Sequence, residues 1–415
     1  MPLIQTPELL APAGNPEKLR VAIHYGADAV YLGGPSFGLR AQAGNFTLPE
    51  LAAAADYAHQ RGVKVYLTVN SYPDNADLSQ LVEYLLALAP LPLDALIVSD
   101  PGVISLCQEI APHLPLHLST QANTTNWRSA RFWANQGISR INLARETSLE
   151  AMTATVARSG AESEVFIHGA MCISYSGRCL ISNILTGRDA NKGACTHPCR
   201  WRYALVEETR PGEYFPIEED SRGSFIFNSK DLCLIEHLPA IIATGVTSLK
   251  IEGRMKGVYY LATVVRTYRA ALDRYAAAPA NYATDPVWLQ DLQSVSHRGY
   301  TTGFLFGAPR DVGQEYDCRY HRKYDMVGVV TGSAPDGSAV VGVRNRIELG
   351  DTLELIGPQS GGRPFVLTAM TDVATGESVA HANPNSSVNI HLPFQSAPLD
   401  MIRRPKGNPI HEPIL

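Results

Sequence analysis

Four of the seven cysteines in this 415-residue chain crowd into one span: Cys172, Cys179, Cys195 and Cys199, spaced C-x6-C-x15-C-x3-C. Thiolates are soft ligands, and a grouped set of four suits either a zinc ion or an iron–sulfur cluster. Zinc sites commonly show C-x2-C knuckles, and none is present. Spacing alone leaves the two metallocentres level. Glycines punctuate the segment at Gly169, Gly177, Gly187 and Gly193, which lets the backbone wrap closely round a bulky centre. Arg178, Arg200 and Arg202 supply nearby positive charge. A radical S-adenosylmethionine signature begins at Cys195-x3-Cys199, but its third position falls on Arg202. Cys107 and Cys318 stand apart and read as packing residues. Cys233 reads as core, with a spare-ligand role as the weaker alternative.

The opening MPLIQTPELLAPAG has neither the basic nor the apolar region of a signal peptide, so a cytoplasmic location is expected. In that compartment grouped cysteines favour metal or catalysis over disulfides. No run reaches the ~20 apolar residues of a membrane span.

The cysteines must be positioned by the elements before them. Short apolar runs stand at Glu8–Ala13, Ala29–Gly34, Lys64–Asn70, Asp94–Asp100, Leu116–Gln121, Arg140–Arg145, Glu164–Ala170 and Ser248–Gly253. Amphipathic stretches lie between them, as at Asn15–Tyr25, Leu48–Gln60 and Leu78–Ala89. Near-continuous apolar strands alternating with helices indicate a parallel sheet covered on both faces. Eight strands over roughly 250 residues fit a (β/α)8 TIM-like barrel, and no G-x-G-x-x-G follows the first strand. The gap from Ala170 to Ser248 is too long for a plain connection and reads as an inserted excursion, residues 171–247, over the barrel mouth. The barrel domain is therefore expected over 1–277, followed by a helical connector over 278–322. From 323 to 415 short strands separated by turn residues predict a small all-β barrel.

In such a barrel, chemistry sits at the C-terminal ends of the strands. The polar residues there are Asn70, Asp100, Gln121, Asn123, Arg145, Glu146, His168, Lys250, Glu252 and Arg254. His168, Arg145, Glu252 and Arg254 are the candidates for catalysis; Asn70, Gln121, Asn123 and Tyr175 are the candidates for holding substrate. His168 reads equally as a satisfied, half-buried histidine, and each arginine singly as a structural ion pair. Trp127, Tyr175, Trp201 and Tyr203 are aromatics that an extruded base could stack on, though aromatics at such spacings are more often core.

Charged residues are 18% and the net charge is −5; the composition excludes a disordered chain, and the charge argues mildly against a nucleic-acid substrate. Any RNA contact needs a local basic patch, and Arg319–Lys323 (RYHRK) and Arg403–Lys406 (RRPK) are expected to supply weak docking.

The segments ELLAPAGNPEKLRVAIHYGADAVYLGG, IHGAMCISYSGRCLISN, GACTHPCRWRY, NSKDL and SLKIEGRMK resemble the collagenase-like peptidase family U32 over most of the chain. The LSTQANTTNWRSARFW and HRGYTTGF segments, and the retained Cys199, resemble the members that hydroxylate tRNA without oxygen. That resemblance implies formation of 5-hydroxyuridine at the tRNA wobble position, dependence on prephenate, and an iron–sulfur cluster, of 4Fe-4S type, on the four cysteines. The alternatives within the family are a peptidase and a hydroxylase of ribosomal RNA or a ubiquinone precursor. A peptidase needs a nucleophile with its base or a metal-bound water. The chain has no H-E-x-x-H and no G-x-S-x-G, and only Cys172 with His168 could make a pair.

Overall fold

The computed structural model describes residues 6–39, 44–171, 181–188, 190–196, 198, 219–220, 223–224, 230–307, 323–359 and 361–406. Eight parallel strands close into a barrel: β1 (Glu8–Ala13), β2 (Ala29–Gly33), β3 (Lys64–Val69), β4 (Ala95–Val98), β5 (Leu116–Leu118), β6 (Ile138–Asn142), β7 (Glu162–Ala170) and β8 (Ser248–Ile251). Closure is explicit in the register, since Ser248 of β8 pairs with Glu8 on one side and with Glu164 on the other.

Side chains alternate along each strand. Leu10, Ala29, Tyr31, Tyr66, Ala95 and Ile97 point into the lumen and form their own small cluster. Their neighbours Leu9, Val30, Leu32, Val65, Leu67, Leu96 and Val98 point outward into the large core beneath the helices. That two-sided burial explains why the strands read as unbroken apolar runs.

The covering helices are α1 (Pro16–His24), α2 (Leu48–His59), α3 (Leu78–Leu88), α4 (Pro101–Ile110), α5 (Trp127–Asn135), α6 (Leu149–Ser159), α7 (Ile181–Thr186), α8 (Leu238–Ala243), α9 (Val258–Ala277) and α10 (Pro286–Ser294). Most start where the sequence supplies a cap. Asn15, Asn126, Ser148 and Asp285 each accept from a first-turn backbone N–H, and Thr47 and Glu50 form a reciprocal capping box. No helix among the described residues is long and apolar enough to cross a membrane.

Within the range 171–247, Asp231–Cys233 pairs antiparallel with the end of β7, and α8 follows as the helix that leads into β8. Asp231 is buried and clamped by Arg298, whose Nη2 lies 2.6 Å from its Oδ1. Burial alone would raise the Asp231 carboxyl, but Arg298 and Lys256 outweigh it and hold the group below the usual carboxylate range.

The C-terminal part is an antiparallel seven-stranded sheet. Its strands include Arg363–Val366 and Met370–Asp372, separated by residues 367–369. Met401–Pro405 is an interior strand of the sheet, between Thr352–Ile356 and Tyr324–Ser333. The basic run Arg403–Lys406 is thus not uniformly solvated, and its cations are engaged with carboxylates. Arg403 is buried against Asp291 and Glu354, Arg404 pairs with Asp351, and Lys406 lies 3.6 Å from Asp325. Of RYHRK only Lys323 lies within the described residues, where it donates to Gln293. The two parts share a core: Met326, Val329, Ile356 and Met401 belong to the same cluster as the barrel helices.

Candidate active site at the barrel mouth

The lumen is sealed part-way up by charge. Arg140 Nη1 lies 2.6 Å from Glu8 Oε1 and 3.8 Å from Glu164 Oε2, while Lys250 Nζ lies 2.7 Å from Glu164 Oε1. Tyr66 donates to Glu8 at 2.8 Å, and the Ser248 hydroxyl lies within reach of both carboxylates, at 3.2 Å from Glu8 and 3.3 Å from Glu164. Two glutamates facing two cations make this layer neutral, and low dielectric strengthens each contact.

Above it lies a cavity of about 60 Å³ lined by Tyr31, Asn70, Gln121, Asn142, Arg145, Phe166, Lys250, Glu252 and Arg254, among others. It holds a few waters or one small acidic head group, and is too small for a nucleobase. Five residues singled out from the sequence as catalytic or substrate-holding therefore meet here: Asn70, Gln121, Arg145, Glu252 and Arg254.

Their roles differ. Asn70 is committed to structure, accepting from Leu39 N and donating to Ser119 Oγ, both at 3.1 Å. Arg254 is 3% exposed and spans β3 and the loop after β2, donating to Thr68 Oγ1 at 3.1 Å and to Asn45 Oδ1 at 2.8 Å. Gly33 makes room for it: a Cβ there would stand 2.5 Å from Arg254 Nη2. Glu252 accepts from the Tyr31 hydroxyl at 3.2 Å. Burial and that carboxylate keep the Tyr31 phenol protonated, far above its ordinary range. Arg145 is different. Its guanidinium lies 3.9 Å over the Phe166 ring, and no carboxylate of a described residue pairs with it. Asn142 was not singled out from the sequence, because Arg145 looked like the strand end. The strand stops at Asn142, which leaves a buried Oδ1 without a partner among the described residues.

His168 is not in this cavity. The pairing of β7 with β8 slips between Lys250 and Ile251, so that Lys250 faces Phe166 and Ile251 faces His168. A bulge of one residue turns a side chain to the opposite face. His168 is 1% exposed and packs between Tyr260, Tyr268 and Tyr300, with ring centroids 5.4–5.9 Å away. Its Nδ1 lies 3.4 Å from the Tyr268 hydroxyl, and its Nε2 has no partner among the described residues. Burial, with Lys256 and His297 acting the same way, pushes its pKa down to about 3. A neutral, enclosed imidazole cannot exchange protons with a substrate at the mouth. Gly169 follows at φ +113°, where a Cβ would stand 2.4 Å from Glu252 O.

Asp100 caps α4 through Gly102 and Val103 rather than facing the cavity. Asn123 closes the turn Thr120–Ala122 in left-handed conformation at φ 54°. Trp127 opens α5, ringed by arginines.

Cys172, Tyr175, Cys179 and Cys199 lie outside the described residues, as do Trp201, Tyr203 and Cys318. Cys195 is described, and its segment is anchored. Lys192 reaches the β3–α3 loop, with Nζ 2.6 Å from Asp74 and 2.9 Å from Asp77. Next to Cys195, Thr196 donates its N–H to Ser182 Oγ at 3.1 Å. Ser182 lies on α7, three residues after Cys179 in sequence. Ser182 and the segment 192–196 are thus held together beside the β3–α3 loop, and a set of four thiolates is chemically suited to an iron–sulfur cluster. Cys233 instead packs against Tyr268, 3.8 Å from its hydroxyl, with burial pushing the thiol up to about 11. Burial likewise pushes the Cys107 thiol up to about 12. Both are protonated, inert sulfurs.

Two larger depressions carry less chemistry. One, of about 790 Å³, runs between α9, α10 and the β-sheet part, and its arginines are neutralised: Arg266 by Asp291, Arg269 by Asp28 and Asp273, Arg274 by Asp285. The other, of about 700 Å³, lies against Asp28 and Arg61 at the far end of the strands.

Residues 14–315 match the model of Peptidase family U32, and residues 322–403 match that of the Peptidase family U32 C-terminal domain. The tRNA hydroxylation protein P1 of Bacillus subtilis is 40% identical over 97% of this chain and 96% of its own. The tRNA hydroxylation protein P of Escherichia coli is 39% identical over 93% of each chain. A 23S rRNA 5-hydroxycytidine synthase of Escherichia coli is 36% identical over 74% of this chain but only 46% of its own length. The chain therefore belongs to peptidase family U32.

Proposed function

We propose that this chain is an RNA-modifying enzyme that hydroxylates the wobble uridine of tRNA to 5-hydroxyuridine, with prephenate as co-substrate and an iron–sulfur cluster on Cys172, Cys179, Cys195 and Cys199. The observation that carries the reading is the near-full-length likeness to two proteins named for tRNA hydroxylation. The ribosomal RNA relative shares less than half of its own length, which favours tRNA over ribosomal RNA. A bound cluster would supply one-electron chemistry beside the mouth.

The chain's own residues divide the remaining work. Arg145 offers a guanidinium to a carboxylate entering the cavity, where a bidentate contact suits it. Asn142 offers a buried acceptor to a hydroxyl of the same molecule. The ionic layer beneath excludes bulk water. The uridine, too large for the cavity, sits at the rim near the cysteine-bearing segment, and the wobble position is single-stranded and open to such capture.

Among the described residues, hydrolysis lacks a catalytic pair. The imidazole of His168 is enclosed by tyrosines, away from the cavity, and its only described hydrogen-bonding neighbour is Tyr268.

Nucleoside mass spectrometry of tRNA from a deletion strain tests the reading. Wild-type gene restores 5-hydroxyuridine, and Cys195→Ala does not. Unchanged 5-hydroxyuridine in the deletion strain would overturn the tRNA assignment. Anaerobically purified protein is expected to be brown and to contain iron and sulfide; a colourless protein with one zinc would reverse the cofactor assignment. Gelatin cleavage by the pure protein would revive hydrolysis.

A further inference from the structure

The chain carries a net charge of −5, so a polyanion must be met by a local concentration of cations. One such concentration exists on the described surface. The guanidinium carbons of Arg128, Arg131 and Arg158 lie 4.6, 5.2 and 5.4 Å from the centre of the Trp127 indole. All three arginines are exposed, and the indole is half-buried. Arg131 Nε donates to Arg158 O at 2.8 Å, which fixes α5 against the end of α6.

No carboxylate of a described residue forms an ion pair with any of the three. This contrasts with much of the surface, although Arg20 and Arg61 on the Tyr57 ring and Arg363 on Phe394, a pair and a single arginine rather than three, likewise meet no carboxylate of a described residue. Arg269, Arg274, Arg344, Arg346 and Arg404 each sit on a carboxylate. The indole face attracts the three cations, but it cannot cancel their mutual repulsion. Three unneutralised guanidiniums around one aromatic ring suit a string of phosphates, with the ring free at its edge to meet a sugar or base. The position fits as well. Trp127 begins α5, just after the turn Thr120–Ala122 that carries Gln121 into the mouth cavity.

We propose that Arg128, Arg131 and Arg158, gathered on Trp127, form the docking site for the phosphate backbone of the RNA substrate. The proposal rests on the RNA-modifying reading above and places the dock on α5 and α6 rather than on the C-terminal sheet.

The test uses the full-length protein and an unmodified, transcribed tRNA with uridine at the wobble position. Fluorescence anisotropy gives Kd across a range of KCl concentrations. Each lost phosphate contact lowers the slope of log K against log salt by about 0.7–0.9. The triple variant Arg128→Gln, Arg131→Gln, Arg158→Gln is expected to lose roughly 2–3 from that slope and on the order of a hundredfold in affinity at 0.15 M salt. Arg158→Gln alone loses one increment, and replacing all three by lysine keeps most of the slope. Arg346→Gln, exposed on the sheet part, leaves it unchanged. Because the three side chains are exposed and only Arg131 makes a hydrogen bond between helices, the variants are expected to melt close to the wild type, and Arg158→Gln, which leaves the Arg158 carbonyl in place, controls for that bond. A triple variant that binds tRNA with wild-type slope and affinity overturns the dock while leaving the enzyme assignment intact. A wild-type protein that binds no tRNA even at low salt overturns both.

Discussion

Replacing Lys250 by methionine tests whether the floor of the cavity is an ionic layer. Methionine matches the length of the lysine stem and removes only its charge. In the native structure Glu164, 2% exposed, is served by Lys250 at 2.7 Å and by Arg140 at 3.8 Å. At an effective dielectric of about 20 those distances correspond to roughly 6 and 4 kcal/mol of gross attraction, much of it offset by desolvation. Removing one partner of a buried pair strands the other at a cost of about 3–5 kcal/mol. Arg140 remains, but it is closer to Glu8, at 2.6 Å, and cannot neutralise both carboxylates. Lys250→Met is therefore expected to cost about 3 kcal/mol, the low end of that range. Urea denaturation followed by linear extrapolation measures it. The double variant Lys250→Met, Glu164→Gln removes the stranded charge and should recover about half of the loss. A single variant that costs under about 1 kcal/mol with an unchanged denaturant slope, or a double variant that simply adds the two single costs, would refute the picture of coupled buried charges.

The remaining predictions concern the walls and neighbours of the same site. His168 is held neutral with its pKa at about 3, so between about pH 6.5 and 3 the unfolded chain binds a proton that the folded chain does not. Stability then falls as pH falls, by about 1.4 kcal/mol per pH unit from this residue. His168→Phe should flatten the curve by about 2 kcal/mol between pH 6.5 and 5, and an unchanged curve would count against the buried imidazole. Gly169→Ala should destabilise by about 2–5 kcal/mol, since strain at φ +113° adds to a backbone clash at 2.4 Å; a thermal melt equal to wild type would exclude that geometry. Arg145→Met should leave the melt within about 1 kcal/mol of wild type while raising the KM for the acidic co-substrate at least tenfold. A large loss of stability with unchanged KM would reverse that assignment.

The barrel was legible because a parallel sheet covered on both faces leaves an unambiguous trace: β1 was readable to the residue as ELLAPA. Arg254 and Glu252 were found for the same reason, since the apolar run of β8 points directly at them. His168 was misplaced because its orientation depends on a bulge that alternation along the strand does not reveal. Asn142 was missed because the last strand residue is set by pairing with β5 and β7, not by its own neighbours. Arg403 looked like surface because its partners, Asp291 and Glu354, lie 112 and 49 residues away. Long-range pairing of that kind has no local signature. The docking cluster on Trp127 was half legible: the aromatic stood out, but Arg158 joins it from another helix.

The plug of Glu8, Arg140, Glu164 and Lys250 makes the lumen a blind well. Whatever lies at its bottom has one way in and the same way out. If RNA covers the rim during turnover, the acidic head group must already be seated in the cavity, and it must wait there until the RNA departs. Such a queue is an order of addition and release, imposed by an ionic layer of which Lys250 alone lines the cavity.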